Sequence, residues 1–412
     1  MTTLAIEGAG QVLTPTDPGH PYVRMSEVDL LRITPGSVTC RDGQIEALDA
    51  DGAADVRLDA AGCAVIPGLV DCHTHLPFAG WRAGEYAQKV AGVGYEDIAR
   101  AGGGIASSSR ALRQASDDDV LDQAASVAAE MLATGTTTFE CKSGYGLSID
   151  AEARHLRLAS ELGPLVTQST TLTALVAHAL TPGHDADAWL AAVEAALPAW
   201  LDTAPITALD IYVESIAFTN EHLERVGQMA KARGLALRAH VEQFATHRSV
   251  PVALASGARS VDHLACLHPD DIGPLAAAEC AAVLLPSAEL LVDERPAPGR
   301  ALADAGAIVA VATDCNPGTS PVGSLPVVIG LAVRRYRLSI LEALAATTLN
   351  PAWVLGCSDR LGSIEAGKRA DLVVLDSPVD HIPYRFGRNP VVAVVVGGEL
   401  VWLRTDDARR LR

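Results

Sequence analysis

The chain has 412 residues, 49% of them hydrophobic and 20% charged, and a formal net charge of −18 at pH 7. That length and apolar content allow one large core with an accessory unit and exclude a disordered chain. The negative balance argues against nucleic acid or an acidic membrane surface as a partner, because the mean field opposes a polyanion. A small anion stays admissible, provided that a local cation meets it.

No apolar run is long enough, and free enough of charge, Gly and Pro, to span a bilayer. The opening MTTLAIEGAGQVLTP has no basic start and no long apolar core, so it reads as a strand and not a secretory signal. The eight cysteines are scattered, with no Cys-x-x-Cys pair. They are expected to be reduced thiols in a reducing cytoplasm. No partner chain can be read from the residues, and a homodimer is left open.

Taken in chain order, residues 1–60 are rich in short strand-like runs: TLAIEGAG, SVTCRDG, QIEALDA and VRLDA, divided by Asp42-Gly43 and Asp51-Gly52 turns. The C-terminal end repeats this character in ADLVVLD and AVVVGGELVWL, with Gly397-Gly398 as a hairpin turn. Residues 1–60 and 360–412 are therefore expected to pair into one small β-sandwich. Residues 61–359 would form a domain inserted between its halves.

That middle alternates apolar strands with Ala/Leu-rich helical stretches such as DDDVLDQAASVAAEMLATG and NEHLERVGQMAKARG. Eight strands are expected: AVIPGLVDCHTH, TTTFECKSG, VTQSTTLTA, ALDIYVES, LALRAHVEQ, RSVDHLA, AAVLLPSAE and AIVAVATDCN. Eight β/α repeats suit a closed (β/α)₈ TIM barrel of the α/β class. An open doubly wound sheet would want a Gly-rich phosphate loop after its first strand. Here the first strand ends in His73-Thr74-His75.

Period-two alternation puts both of those imidazoles on one face of the strand. His240 ends LALRAH, His263 ends SVDH and Asp314 ends AIVAVATD. Barrel enzymes carry their chemistry at strand C-terminal ends. Each residue alone is better read as a buried polar group with a backbone partner; the set reads as a metal site. Imidazole and carboxylate ligands suit Zn²⁺ or Fe²⁺ better than Ca²⁺ or Mg²⁺. Of the four lysines, Lys89, Lys142, Lys231 and Lys368, only Lys142 follows a strand, and that strand is the second. No lysine therefore ends the fourth strand to bridge a second ion, and one divalent ion is expected.

PGLVDCHTH, HVEQ, VDHL, ATDCNPG and GSIEAGKRADLVVLD together resemble the amidohydrolase superfamily. More narrowly, LPFAGWRAGEYAQKVAGVGYEDIARAGGGI, ECKSGYGL, the AHAL of LVAHAL and TDCNPGTSP resemble the imidazolonepropionase family, over about residues 60–375. The chain departs from that pattern in lacking a Gly just before Ala177-His178, in having Val213 before Glu214, and in lacking an aromatic residue in LLPSAELLV.

The resemblance implies His73, His75, His240 and Asp314 as metal ligands and His263 beside the metal water. It implies Arg82 pairing with a propanoate, Tyr145 hydrogen-bonding the substrate, and His178 and Gln243 touching the ring. Asn316, Gly318 and Thr319 would close over the ligand. The reaction implied is hydrolytic ring opening of 4-imidazolone-5-propanoate to N-formimino-L-glutamate in histidine degradation. Asp314 or His263 would move the proton, and His178 or His263 would steady the oxyanion. The alternatives are a deaminase of the same superfamily, acting on an aminated heterocycle or formimino group, and a catalytically dead barrel.

Three readings of the residues stand beside the resemblance. An anionic substrate in a net-negative chain needs a local guanidinium, which Arg82 can provide. Lys89 is expected to be carried away from the first strand's end by a helix that starts in WRAGEYAQK. Gly102-Gly103-Gly104 follows a helical stretch and reads as the flexible part of a lid.

Overall fold

The computed structural model describes residues 3–49, 54–180, 185–292 and 295–411; the expected Asp51-Gly52 turn lies outside them. Five strands open the chain: β1 (Thr3–Pro15), β2 (Leu31–Arg41), β3 (Gln44–Leu48), β4 (Val56–Asp59) and β5 (Ala64–Pro67). Eight follow: β6 (Leu69–Asp71), β7 (Thr136–Lys142), β8 (Ser169–Ala177), β9 (Ile206–Tyr212), β10 (Ala236–Val241), β11 (Ala258–His263), β12 (Ala281–Leu284) and β13 (Ile308–Val311). β14 (Leu372–Leu375), β15 (Val391–Val396) and β16 (Glu399–Leu403) close the series.

The two chain ends pair as one mixed sheet in the order β16-β15-β14-β5-β1-β2-β3, with β4 also on β1. Leu4, Ile6, Val38, Ile45, Val374 and Val395 are among the residues of its own apolar core. The sheet curls until its far ends meet. Gly43, in the turn between β2 and β3, lies against Gly398, in the turn between β15 and β16, and a Cβ on Gly398 would sit 3.1 Å from Gly43 Cα. Both Gly397 and Gly398 have positive φ, 56° and 78°, as the two-residue turn predicted there requires. The sheet also includes β5, which lies past residue 60.

The barrel strands β6 to β13 pair in parallel, each with its neighbour in sequence. The predicted first strand serves both sheets: β5 belongs to the terminal sheet, β6 to the barrel, and Gly68 separates them. Any side chain at 68 would overlap Thr137. The ends of the series meet just beyond their last strand residues, through a parallel bridge between Thr74 and Cys315 and a bond from His75 N to Cys315 O of 2.9 Å. β7, β12 and β13 are buried at every position, as expected of parallel strands covered on both faces.

Four α-helices lie between β6 and β7: α1 (Ala83–Val90), α2 (Tyr95–Arg100), α3 (Ile105–Gln114) and α4 (Asp117–Ala133). Helix α4 starts where Ser116 accepts from Asp119 N, followed by Asp117, Asp118 and Asp119 in its first turn. The hydroxyl satisfies an orphan N–H, and the carboxylates suit the positive end of the helix dipole. Its buried residues Val120, Ala124, Val127, Ala128 and Met131 recur at helical spacing and cover the outside of the barrel. Among the described residues, no helix is long and apolar enough to cross a membrane.

Candidate active site

His73, His75, His240, His263 and Asp314 meet at the C-terminal mouth of the barrel, and each is nearly or fully buried. His73 and His75 continue the line of β6. His240 lies in β10, His263 ends β11, and Asp314 follows β13. Several residues there take the left-handed backbone that side chains disfavour: Glu242 at φ 54°, His263 at 81°, Leu264 at 66° and Asp314 at 53°. Such strain gathers where a side chain must be aimed.

Asp314 Oδ1 lies 3.2 Å from His75 Nε2 and 3.5 Å from His73 Nε2. Two triads have ligand atoms within 4.8 Å of one another: His73, His240 and His263, and His73, His75 and Asp314. His263, expected beside the metal water, thus shares a triad with two expected ligands. His73 Nε2, His240 Nε2, His75 Nδ1 and His263 Nδ1 are buried without a hydrogen-bond partner among the described residues. Unpaired buried nitrogens on this scale cost several kcal/mol unless something binds them. The donor set, imidazoles with one carboxylate, fits a divalent transition ion.

The opposite nitrogens are fixed from behind. His73 Nδ1–H donates to Asp262 Oδ2 at 2.6 Å, and His240 Nδ1–H donates to Asp210 Oδ1 at 3.0 Å. A carboxylate only accepts, so in both rings the proton is on Nδ1 and the Nε2 lone pair faces the cluster. Burial pushes the His73 and His75 pKa values well down, with Lys142 and His240 adding to the effect, and pushes His263 down to about 3. Neutral imidazole is the form that ligates. Burial pushes the Asp314 carboxyl up, against the pull of His263 and His240.

Below this layer, the barrel interior holds a charged network. Lys142 Nζ reaches Asp210 Oδ2 at 2.6 Å and Glu140 Oε2 at 3.1 Å. Arg238 pairs with Glu140, meets Asp262 Oδ2 at 2.9 Å and donates to Cys72 O at 2.7 Å. Two cations thus face three carboxylates, and the excess negative charge lies beneath the cluster. Burial pushes Asp210 up but is outweighed by His240, Lys142 and Arg238, which hold it well below the usual range. Lys142 belongs to this network. Asp210, Asp262, Glu140 and Arg238 were absent from the sequence-based set. Their signal was a single charge at alternating positions of otherwise apolar strands, as in ALDIY, SVDH and ALRAH.

A cavity of about 40 Å³ above the cluster is lined by Arg82, Tyr145, His178, Gln243, Asn316 and Thr319, together with His75, His240, His263 and Asp314. Tyr212 and Ile105, which the sequence did not point to, complete the wall. A second cavity of about 260 Å³ shares His178, Tyr212 and Ile105 and widens the approach. A larger cavity of about 640 Å³, lined by Thr138, Ser169, Arg369 and others, opens toward the N-terminal end of the strands and touches none of these residues.

His178 Nδ1–H donates to Gly144 O at 3.1 Å, which leaves Nε2 for the cavity. Gly318 is the platform on which the Arg82 guanidinium lies, and any side chain there would overlap it. Asn316 is engaged within its own loop. Its Oδ1 accepts from Gly318 N at 2.9 Å and Thr319 N at 2.7 Å, and its Nδ2 donates to Asp314 O at 2.7 Å. Lys89 does not leave the site as its helix suggested: α1 turns it back so that Nζ donates to Gly318 O at 3.4 Å.

The amidohydrolase family profile matches residues 64–401. Imidazolonepropionase from Cupriavidus pinatubonensis is 43% identical over 359 residues, 86% of this chain and 85% of that one. Imidazolonepropionase from Paracoccus denitrificans is 42% identical over 364 residues, 86% of this chain and 90% of that one. The chain belongs to the imidazolonepropionase family of amidohydrolases. As a member it is a metal-dependent hydrolase, and the cluster at the barrel mouth is where its residues could hold an ion. Solved structures agree on the fold. An adenosine deaminase from Xanthomonas campestris with bound zinc aligns with a TM-score of 0.67 at 21% identity, covering 98% of this chain and 93% of that one. A triazine hydrolase variant aligns at 0.69 with 19% identity, covering 97% and 94%.

Proposed function

We propose that this chain hydrolyses 4-imidazolone-5-propanoate to N-formimino-L-glutamate, a step of histidine degradation, using one divalent ion held by His73, His75, His240 and Asp314. The observation that carries the reading is a buried guanidinium, Arg82, in the same small cavity as His75, His240 and His263, each of which has an unpaired buried nitrogen among the described residues. A neutral heterocycle would not need it. In a chain of net charge −18, a propanoate does. Zinc and iron(II) both suit the ligand set. Such an ion supplies Lewis acidity and lowers the pKa of water toward neutrality.

The reaction adds the oxygen of water to the ring carbonyl carbon, breaks that carbon's bond to the ring nitrogen, and delivers one proton to the nitrogen. Asp314 or His263, both at the cluster, carries that proton. His178, with its Nδ1 committed to Gly144, offers Nε2 toward the developing oxyanion. Arg82 meets the propanoate, while Tyr145, Gln243 and Thr319 border the ring. Asn316 acts through the loop it ties and Gly318 through the surface it gives Arg82. Eight unpaired cysteines among the described residues support a cytoplasmic setting.

The test is to incubate purified protein with freshly made imidazolonepropanoate and assay for formiminoglutamate. Formation of that product at catalytic rate is expected. Ammonia without formiminoglutamate would replace this reading with a deaminase.

A further inference from the structure

Arg82 is held from two directions before any substrate arrives. Its backbone N–H donates to Pro317 O at 2.8 Å, which joins the loop after β6 to the loop after β13. Its side chain is only 7% exposed and its plane rests on Gly318. Nη1 donates to Ser108 Oγ at 3.2 Å, and Glu85 Oε2 lies 3.4 Å from Nε, an ion-pair contact without hydrogen-bond geometry. Ser108 is on α3 and Glu85 on α1, so two helices hold the guanidinium, one at Nη1 and one at Nε. Nη2 takes part in neither contact.

Glu85 also holds the helix that carries Ser108. Its other oxygen, Oε1, accepts from Gly104 N at 3.1 Å, and Gly104 begins α3 at φ 63°, ψ −138°, a region left almost entirely to glycine. Gly103 beside it leaves no room for a Cβ, which would meet Ile98 Cγ2 at 2.6 Å. Of the three glycines that read as the loose part of a lid, Gly103 is therefore packed against α2 and Gly104 is tied to Glu85, whereas a Cβ on Gly102 would meet nothing within 4 Å. One carboxylate thus bears on Arg82 twice, at Nε through its charge and at Nη1 through the start of α3.

We infer that Glu85 and Ser108 are positioning residues for Arg82, fixing its guanidinium so that the Nη1–Nη2 edge faces a carboxylate in the cavity. The inference rests on the anion-pairing role proposed for Arg82. A planar, preoriented fork loses less freedom when it binds a carboxylate through two parallel N–H bonds. Without these holds the long side chain is free to fold over Gly318 or turn toward solvent, and each substrate molecule must order it again. Neither Glu85 nor Ser108 lines the cavity, so their effect should follow the carboxylate and not the ring.

The experiment compares wild type with Glu85→Ala, Glu85→Gln and Ser108→Ala on imidazolonepropanoate and on a 5-ethyl analogue without the carboxylate. Bound metal serves as the check on folding. The expected result is a KM for the propanoate raised roughly tenfold in Glu85→Ala and several-fold in the other two, with kcat changed much less. The preference for propanoate over analogue should fall by a similar factor. Ser108→Ala should add little in an Arg82→Met background, because the two act on one interaction.

Equal losses on both substrates, or additive losses in the double mutant, would show a general structural role and overturn the inference. So would an unchanged KM while Arg82→Met is impaired, which would leave the Arg82 reading intact. If Arg82→Met itself keeps the full preference for the carboxylate, the anion-pairing reading fails first. Should Glu85→Ala not fold, Glu85→Gln and Ser108→Ala decide the question.

Discussion

The histidine cluster and Arg82 face the same cavity but are held in different ways. His73 and His240 stand at strand ends, with their rear nitrogens on Asp262 and Asp210 and a buried ionic layer beneath. Their geometry follows from the hydrogen-bonded register of the barrel. Arg82 stands in a loop and takes its geometry from a helix start, a glycine surface and one carboxylate borrowed from α1. The comparison suggests a division of labour: strands fix the chemistry common to the fold, and loops fix which molecule receives it. Losses at the first pole should therefore be absolute and shared by all substrates. Losses at the second should be graded and specific to an anion.

The most severe test is His240→Ala. It should lose the ion and essentially all turnover, as measured by elemental analysis and product assay. Full metal occupancy in that mutant would sink the ligand assignment. Chelation of the wild type should have the same effect, reversed by adding zinc or iron(II).

Asp262→Ala comes next, because it removes the partner of both His73 and Arg238. Metal affinity should fall about 10- to 100-fold. Stability should fall by ~3–5 kcal/mol in denaturant titration, since Arg238 is left buried with less countercharge. A mutant with wild-type stability and affinity would mean that the rear carboxylates do not matter.

At the other pole, Arg82→Met should lower kcat/KM for imidazolonepropanoate by ~2–4 kcal/mol equivalent. Its metal should stay bound, because Arg82 is not a ligand. An unchanged kcat/KM would instead favour a neutral substrate and the deaminase reading.

Gly318→Ala should have the smallest effect of the four. A methyl group there overlaps the guanidinium, so Arg82 must shift. KM should rise by roughly tenfold or less while the ion stays in place. If KM is unchanged, Arg82 does not need the platform it rests on.

The residues at the barrel mouth were legible in the sequence because their pattern is local. His73-Thr74-His75 declares its shared face by alternation alone, and His240, His263 and Asp314 each follow an apolar run. Gly397-Gly398 likewise declares a tight turn within two residues. What stands behind those residues was not legible. Asp262 is 189 positions from His73 and Asp210 is 30 from His240, and only the closure of the barrel and its strand register bring them together. The same holds for Lys89 returning to Gly318 and for Arg82 meeting Ser108 on α3. Alternation tells which way a side chain points from its own strand. Its partner depends on how strands far apart in sequence are set side by side, and that is decided only when the sheet closes and the helices pack over it.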